Sequence, residues 1–293
     1  MTLPADNLPI VAGVDADPGT RSALAWAADE AARRRVPLRL VHAEGVPTAG
    51  FRRWEIPPSW EAWNQALHEE GERVLKAAVD FTETRQPQVE VSGLLAEGNP
   101  VWILREQSRD ALALVLGSWH LSRVKELFGS ASVALPVITH AQCPVVVVPE
   151  SEEPITPSNP YFVVGVDGSE RSATAVDFAF EEAAAHGAGL YAVYAWHPRL
   201  LGALDMQAAR QECERMLSET VAGPSTRFPN VELRQEVVSG HPVEILTEAA
   251  TQSLGLVVGT RGHGGFTGML LGSVSQGVLR HADCTVITVP HTA

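Results

Sequence analysis

The chain has 293 residues, enough for one large domain or two ordinary ones. Hydrophobic residues make up 45% and charged residues 19%, which excludes a disordered chain and permits a sizeable core. A formal net charge of −13 disfavours a polyphosphate backbone, so no nucleic-acid partner is expected, although one small anion in a local nest stays open.

Three scattered cysteines, Cys143, Cys213 and Cys284, do not suit a disulfide framework or a clustered metal site. None of His42, His120, His241 and His263 shows metal-ligand spacing, so no metal site in the protein is expected. Met1 to Asp6 has no basic region followed by an apolar core, and runs such as Val145 to Val148 are strand-length. Neither a secretion signal nor a membrane span is expected, which makes a reducing cytoplasm the default setting.

The first apolar run, Ile10-Val11-Ala12-Gly13-Val14-Asp15, recurs 152 positions later as Phe162-Val163-Val164-Gly165-Val166-Asp167. Arg21-Ser22-Ala23 then matches Arg171-Ser172-Ala173, Gly98-Asn99-Pro100-Val101 matches Gly240-His241-Pro242-Val243, and His140-Ala141-Gln142-Cys143 matches His281-Ala282-Asp283-Cys284. A period of that size is a duplicated domain rather than a solenoid. The expected domains are 1–150 and 161–293, joined by a Pro- and Glu-rich linker over 151–160. The first repeat also carries a longer connection, Glu44 to Trp60, which reads as a lid, an interface loop or a plain surface excursion.

Within the first repeat, strands are expected near 9–15, 37–43, 88–95, 111–117 and 144–149. Helices are expected near 20–35, 60–84, 100–108 and 130–140. Alternation of Val/Leu-rich strands with helices predicts an α/β fold, two tandem parallel sheets covered by helices on both faces. In a doubly wound sheet the ligand crevice lies beyond the carboxyl ends of the strands. Asp15 or Asp167 ends the first strand of each repeat, and Gly117 or Gly259 ends the fourth. An acidic residue and a glycine loop therefore converge on one edge.

That loop, in the second repeat, runs Gly259-Thr260-Arg261-Gly262-His263-Gly264, and nine residues separate Gly262 from Gly272-Ser273-Val274-Ser275. Glycines between a strand and a helix let an anion approach backbone N–H groups, and Ser273 reads as the helix N-cap. His263 suits a phosphate contact. Gly165, Val166, Asp167 and Ser169 would meet a ribose or adenine, and the backbone at Val193, taken as the end of the second strand, would read the adenine edge. There is no Gly-Lys-Ser/Thr ending and no Gly-x-Gly-x-x-Gly spacing, so neither a Walker loop nor a dinucleotide fingerprint is present.

Gly259, Gly262, Gly272 and Ser273 match the Gly-x-x-Gly, nine residues, Gly-Ser/Thr pattern that the chain shares with the ATP-binding branch of the universal stress protein family, which it resembles over both halves. The resemblance is to tandem members common in actinobacteria. It implies two Rossmann-like five-stranded sheets in the order 3-2-1-4-5, ATP in the crevice with Mg2+ on the phosphates, and a nucleotide-dependent regulatory role in stress response or growth control. It also implies pairing of the two repeats through their fifth strands, Pro144 to Pro149 and Thr285 to Pro290, and a homodimer of the whole chain, with an unknown signalling partner. The first repeat offers Gly13, Val14, Asp15, Val41, Gly117, Ser118, His120, Arg123, Gly129 and Ser130 in the corresponding places. It departs from the pattern, because His120 stands where the second glycine belongs and only eight residues separate it from Gly129. A side chain there would clash with phosphate, while His120, Arg123 and Lys125 bring compensating donors. Pro136 is expected to interrupt the following helix.

No nucleophile or second carboxylate partners Asp15 or Asp167, so no catalytic residue is expected, and any ATP hydrolysis would be slow. An adenylating or pyrophosphate-releasing enzyme and a nucleotide-free interaction module are the competing readings. The thiols Cys143 and Cys284 read as buried and inert, and Trp26, Trp102, Trp119 and Trp196 as core or interface residues.

Overall fold

A computed structural model describes residues 8–15, 20–44, 60–117, 133–150, 159–196, 206–262 and 271–291. Two compact units are present, Met1–Glu150 and Ser151–Ala293. In the first, the elements are β1 (Ile10–Gly13), α1 (Thr20–Arg34), β2 (Leu38–Glu44), α2 (Trp60–Arg85), β3 (Val91–Glu97), α3 (Pro100–Gln107), β4 (Ala113–Gly117), α4 (Ala134–His140) and β5 (Val145–Val148). In the second they are β6 (Tyr161–Val166), α5 (Glu170–His186), β7 (Gly189–Trp196), α6 (Met206–Arg227), β8 (Leu233–Ser239), α7 (Pro242–Ala249), β9 (Gly255–Gly259), α8 (Ser273–His281) and β10 (Val286–Val289).

Each unit holds a parallel five-stranded sheet, ordered β3-β2-β1-β4-β5 in the first and β8-β7-β6-β9-β10 in the second. The expected α/β class and strand order therefore hold in both. Ile10 lies between Leu38 and Ala113, and Phe162 between Leu190 and Gly255, so the first strand is central in each sheet. Both neighbours crowd it, and Ile10, Val11, Ala12, Phe162, Val163 and Val164 are essentially without solvent exposure. That burial explains why these strands read as unbroken apolar runs. Helices α1 and α2 pack together, as do α3 and α4, and the second unit repeats the arrangement with α5 and α6, and with α7 and α8.

The repeated Gly-Asn/His-Pro text has a local cause. Gly98 and Gly240 take φ values of +128° and +151°, which a side chain resists, and they turn the third strand into the third helix. Pro100 and Pro242 then fill the first helical position, where a missing N–H costs nothing. Asn99 adds a cap, its Oδ1 accepting from the N–H groups of Val101 (2.9 Å) and Trp102 (3.3 Å), whereas His241 makes no such side-chain bond.

One expectation changes here. Helix α4 begins at Ala134, and Pro136 falls in its first turn, where the missing N–H has no intrahelical acceptor, so the proline does not interrupt it. Of the tryptophans read as core or interface residues, Trp196 is in the core and Trp102 is 62% exposed. The connection from 45 to 59, the stretch from 151 to 158 and Trp119 lie outside the described residues. Among the described residues no helix is long and apolar enough to cross a membrane.

All three cysteines are free and buried. Burial pushes the Cys143 thiol up to about 12 and the Cys284 thiol up to about 11. Thiolate is the reactive form, so at pH 8 roughly one molecule in a thousand or fewer carries it at either position. Iodoacetamide is expected to label neither residue in the native protein and both after denaturation, as read by peptide mass mapping. Rapid labelling of the native chain at Cys143 or Cys284 would contradict the packing described.

Candidate functional site

In the second unit the carboxyl ends of β6 and β9 carry the residues singled out from the sequence. Asp167 follows β6 and is oriented from several sides. Its Oδ1 accepts from the Ser169 N–H (3.0 Å) and the Ser169 hydroxyl (2.6 Å). Ser169 is in turn the N-cap of α5, its Oγ accepting from the Ser172 N–H at 3.2 Å. One serine thus starts a helix and aims a carboxylate. From β7, the Tyr194 hydroxyl donates to the Asp167 carbonyl at 3.3 Å. Burial, with Cys213 and Asp167 nearby, pushes the Tyr194 phenol up to about 12, so it stays a neutral donor.

Oδ2 of Asp167 meets the glycine loop. A Cβ placed on Gly262 would lie 2.1 Å from that oxygen, closer than any real contact allows. A Cβ on Gly259 would come within 3.3 Å of the backbone carbonyls of Arg261 and Arg171. The glycines at the first two motif positions therefore answer to close approach between the loop, Asp167 and the start of α5. The acidic residue and the loop do share one edge of the sheet.

The two ends of the loop are fastened to each other. Thr260 donates its N–H to the Val289 carbonyl (3.0 Å), and Gly272 donates its N–H to the Thr260 carbonyl (2.8 Å). The Ser275 hydroxyl reaches back to the Gly259 carbonyl at 2.7 Å. Gly272 is the N-cap of α8 and Ser273 its first residue, which corrects the N-cap expected at Ser273. The Gly272 N–H, spent on Thr260, is not available to a ligand. The first-turn N–H groups of Ser273, Val274 and Ser275 have no intrahelical acceptor, and the nine-residue helix adds a positive end dipole there. Ser275 is buried, so its replacement by alanine would orphan the Gly259 carbonyl. The Ser275→Ala variant is expected to lose about 1–2 kcal/mol in urea denaturation.

Other expected residues are placed differently. Val193 is not the end of β7, which continues to Trp196; it lies within the ladder, opposite Gly165 on one side and Glu236 on the other. Gly165 and Val166 form the end of β6. Thr260, Arg261 and Gly262 begin the loop, and His263 and Gly264 lie outside the described residues. Tyr194 has no site role in the sequence reading, and Ser172 enters it only as part of the repeat; a tyrosine beside an Asp-bearing strand end was the available signal.

The first unit keeps the strand-end geometry. Val14 donates its N–H to the Val41 carbonyl, and the His42 Nδ1–H donates to the Val14 carbonyl, both at 2.8 Å, with His42 in the place of Tyr194. Gly13 ends β1, Gly117 ends β4 and Asp15 is exposed. Ser118, His120, Arg123, Gly129 and Ser130 lie outside the described residues.

The sequence pattern of the universal stress protein family matches residues 7–149 and again 161–290. The chain belongs to that family. A universal stress protein of Mycobacterium tuberculosis is 35% identical over 98% of each chain, which relates this tandem universal stress protein to the mycobacterial ones. The crystal structure of a universal stress protein from Archaeoglobus fulgidus shares the fold at a TM-score of 0.74 and 17% identity, covering 98% of this chain and 97% of its own. A further universal stress protein, solved in complex with cAMP, covers 47% of this chain and 100% of its own at 30% identity and a TM-score of 0.38.

Proposed function

We propose that the second unit binds an adenine nucleotide, ATP with Mg2+ on its phosphates, and that the nucleotide state governs a regulatory role in stress response or growth control. The observation that supports this reading is the approach of Gly262 to Asp167, which sets the glycine backbone beside an oriented carboxylate. Asp167 suits ribose hydroxyls, which donate to a carboxylate. The first-turn N–H groups of α8, with Thr260, Arg261, Gly262, His263 and Gly264, suit the phosphates. Bound Mg2+ would neutralise phosphate charge. The corresponding first-unit set, from Gly13 to Ser130, forms a second and weaker site.

The same reading assigns 1–150 and 161–293 as the domains, 151–160 as the linker, and the cytoplasm as the compartment, in keeping with three buried free thiols. The fifth strand closes one edge of each sheet and is wholly apolar in β5. Exposed apolar edges favour pairing, so β5 and β10 are assigned as partners. A homodimer of the complete chain is assigned from the family resemblance alone. With a protease site placed within 151–158, the cleaved halves should co-elute on gel filtration; separation would refute the pairing.

Nucleotide released from freshly purified protein by acid tests the function. The expected result is adenine nucleotide, with saturable Mg-ATP binding to the emptied protein by calorimetry. No released nucleotide and no binding at millimolar ATP would leave a nucleotide-free interaction module. Rapid turnover with a second substrate would instead mark an adenylating enzyme.

A further inference from the structure

At the opposite end of the second unit's strands from Asp167, a cavity of about 580 Å3 opens between the starts of β6, β7 and β8 and the end of α7. Tyr161, Tyr191, Glu232, Arg234, Glu248 and Gln252 are among the residues that line it. Its volume falls within the range of small-molecule sites. We propose that it binds a small organic dication, an aliphatic chain ending in ammonium or guanidinium groups.

Charge and ring geometry both favour a cation in this cavity. The Tyr191 ring already carries a guanidinium on its face, the Arg234 Cζ lying 4.2 Å from the ring centroid. Aromatic faces attract cations in this way. The same Arg234 donates to Glu236 Oε2 at 2.6 Å, and the Tyr191 hydroxyl donates to that oxygen at 2.6 Å. The charge of Arg234 is therefore balanced by Glu236, outside the lining.

Glu232 and Glu248 are in a different state. Both are exposed at the cavity, and among the described residues neither is joined to a cation by an ion pair. Helix α7 ends here as well, and its last carbonyls carry partial negative charge. One of them, on Ala249, accepts the Tyr161 hydroxyl at 3.1 Å, which fixes that ring at the rim. An anion entering the cavity would meet two unbalanced carboxylates and a negative helix end, with the nearby arginine already engaged. A cation meets the complementary set.

Agmatine, with a guanidinium at one end and an ammonium at the other, is a suitable probe. Calorimetric titration into the full chain should give saturable binding at one site. The Glu232→Gln, Glu248→Gln double variant should weaken it by about tenfold or more, a change of about 1.4 kcal/mol, with ATP binding unaltered. As a control for bulk attraction to an acidic protein, Glu83→Gln with Glu90→Gln removes the same charge from exposed positions of the first unit. Equal weakening by both pairs would overturn the proposal. So would the absence of saturable binding up to about 10 mM agmatine, a limit of about −2.7 kcal/mol in binding free energy. Circular dichroism of each variant separates loss of the site from loss of the fold.

Discussion

The Gly262→Ala variant is expected to lose at least about a hundredfold in nucleotide affinity, close to 2.7 kcal/mol, while keeping its fold. The added methyl would stand 2.1 Å from Asp167 Oδ2, and one partner must move. Asp167 yields only by breaking its two bonds to Ser169, each contributing about 1 kcal/mol. If the loop retreats instead, its N–H groups leave the place they share with the carboxylate. Gly262 is not part of the apolar core, so the melting temperature should change little. Calorimetry with Mg-ATP and a thermal melt of the same samples check both halves of the statement.

Gly262→His goes further, because it gives the second unit the residue that the first carries at His120. The geometry around Asp167 has no room for that side chain. The unsubstituted chain is therefore expected to bind one nucleotide tightly, with the second equivalent far weaker. Two equal sites, or a Gly262→His variant with undiminished affinity, would remove the basis for assigning this contact to the ligand site.

Phe180→Ala should produce the largest loss of stability among single truncations in the second unit. Phe180 lies on α5, has no solvent exposure, and stacks on Phe228 with ring centroids 6.2 Å apart. Removing a buried aromatic side chain leaves a cavity that close-packed neighbours fill only in part, at a cost of about 3–5 kcal/mol. For a unit of this size that lowers the melting temperature by on the order of 10 °C. Because α5 begins at the serine that orients Asp167, nucleotide affinity should fall as well. Hydrogen exchange should show the weakening in β6, α5 and β9, against which α5 packs. A change below about 1 kcal/mol would mean that the site collapses around the missing ring.

Much of the fold was legible because duplication printed it twice. Apolar runs marked β1, β4, β6 and β9, whereas the paired Gly-x-Pro texts served only as repeat matches and their turns into α3 and α7 emerged from the structure. The convergence of Asp167 with the glycine loop followed from strand direction alone, without knowledge of side chains. What could not be read was hydrogen-bond commitment. Nothing in the sequence says that the Gly272 N–H belongs to Thr260, that Ser275 is turned toward Gly259, or that β7 runs three residues past Val193. Those facts depend on distances between segments far apart in the chain. Trp102 illustrates the same limit, since its exposure is set by which face of α3 meets the sheet. Pro136 shows that a residue's effect depends on its turn within the helix, which spacing alone does not fix.

The knot made by Thr260, Gly272 and Ser275 has an evolutionary consequence. Because the ends of the segment are secured by one another, drift in what lies between them need not disturb the sheet. Folding and recognition then constrain different letters of the same stretch. After a duplication, one copy is free to try new chemistry at its mouth while its architecture is inherited intact, and a histidine in place of a glycine is the kind of trace such freedom leaves.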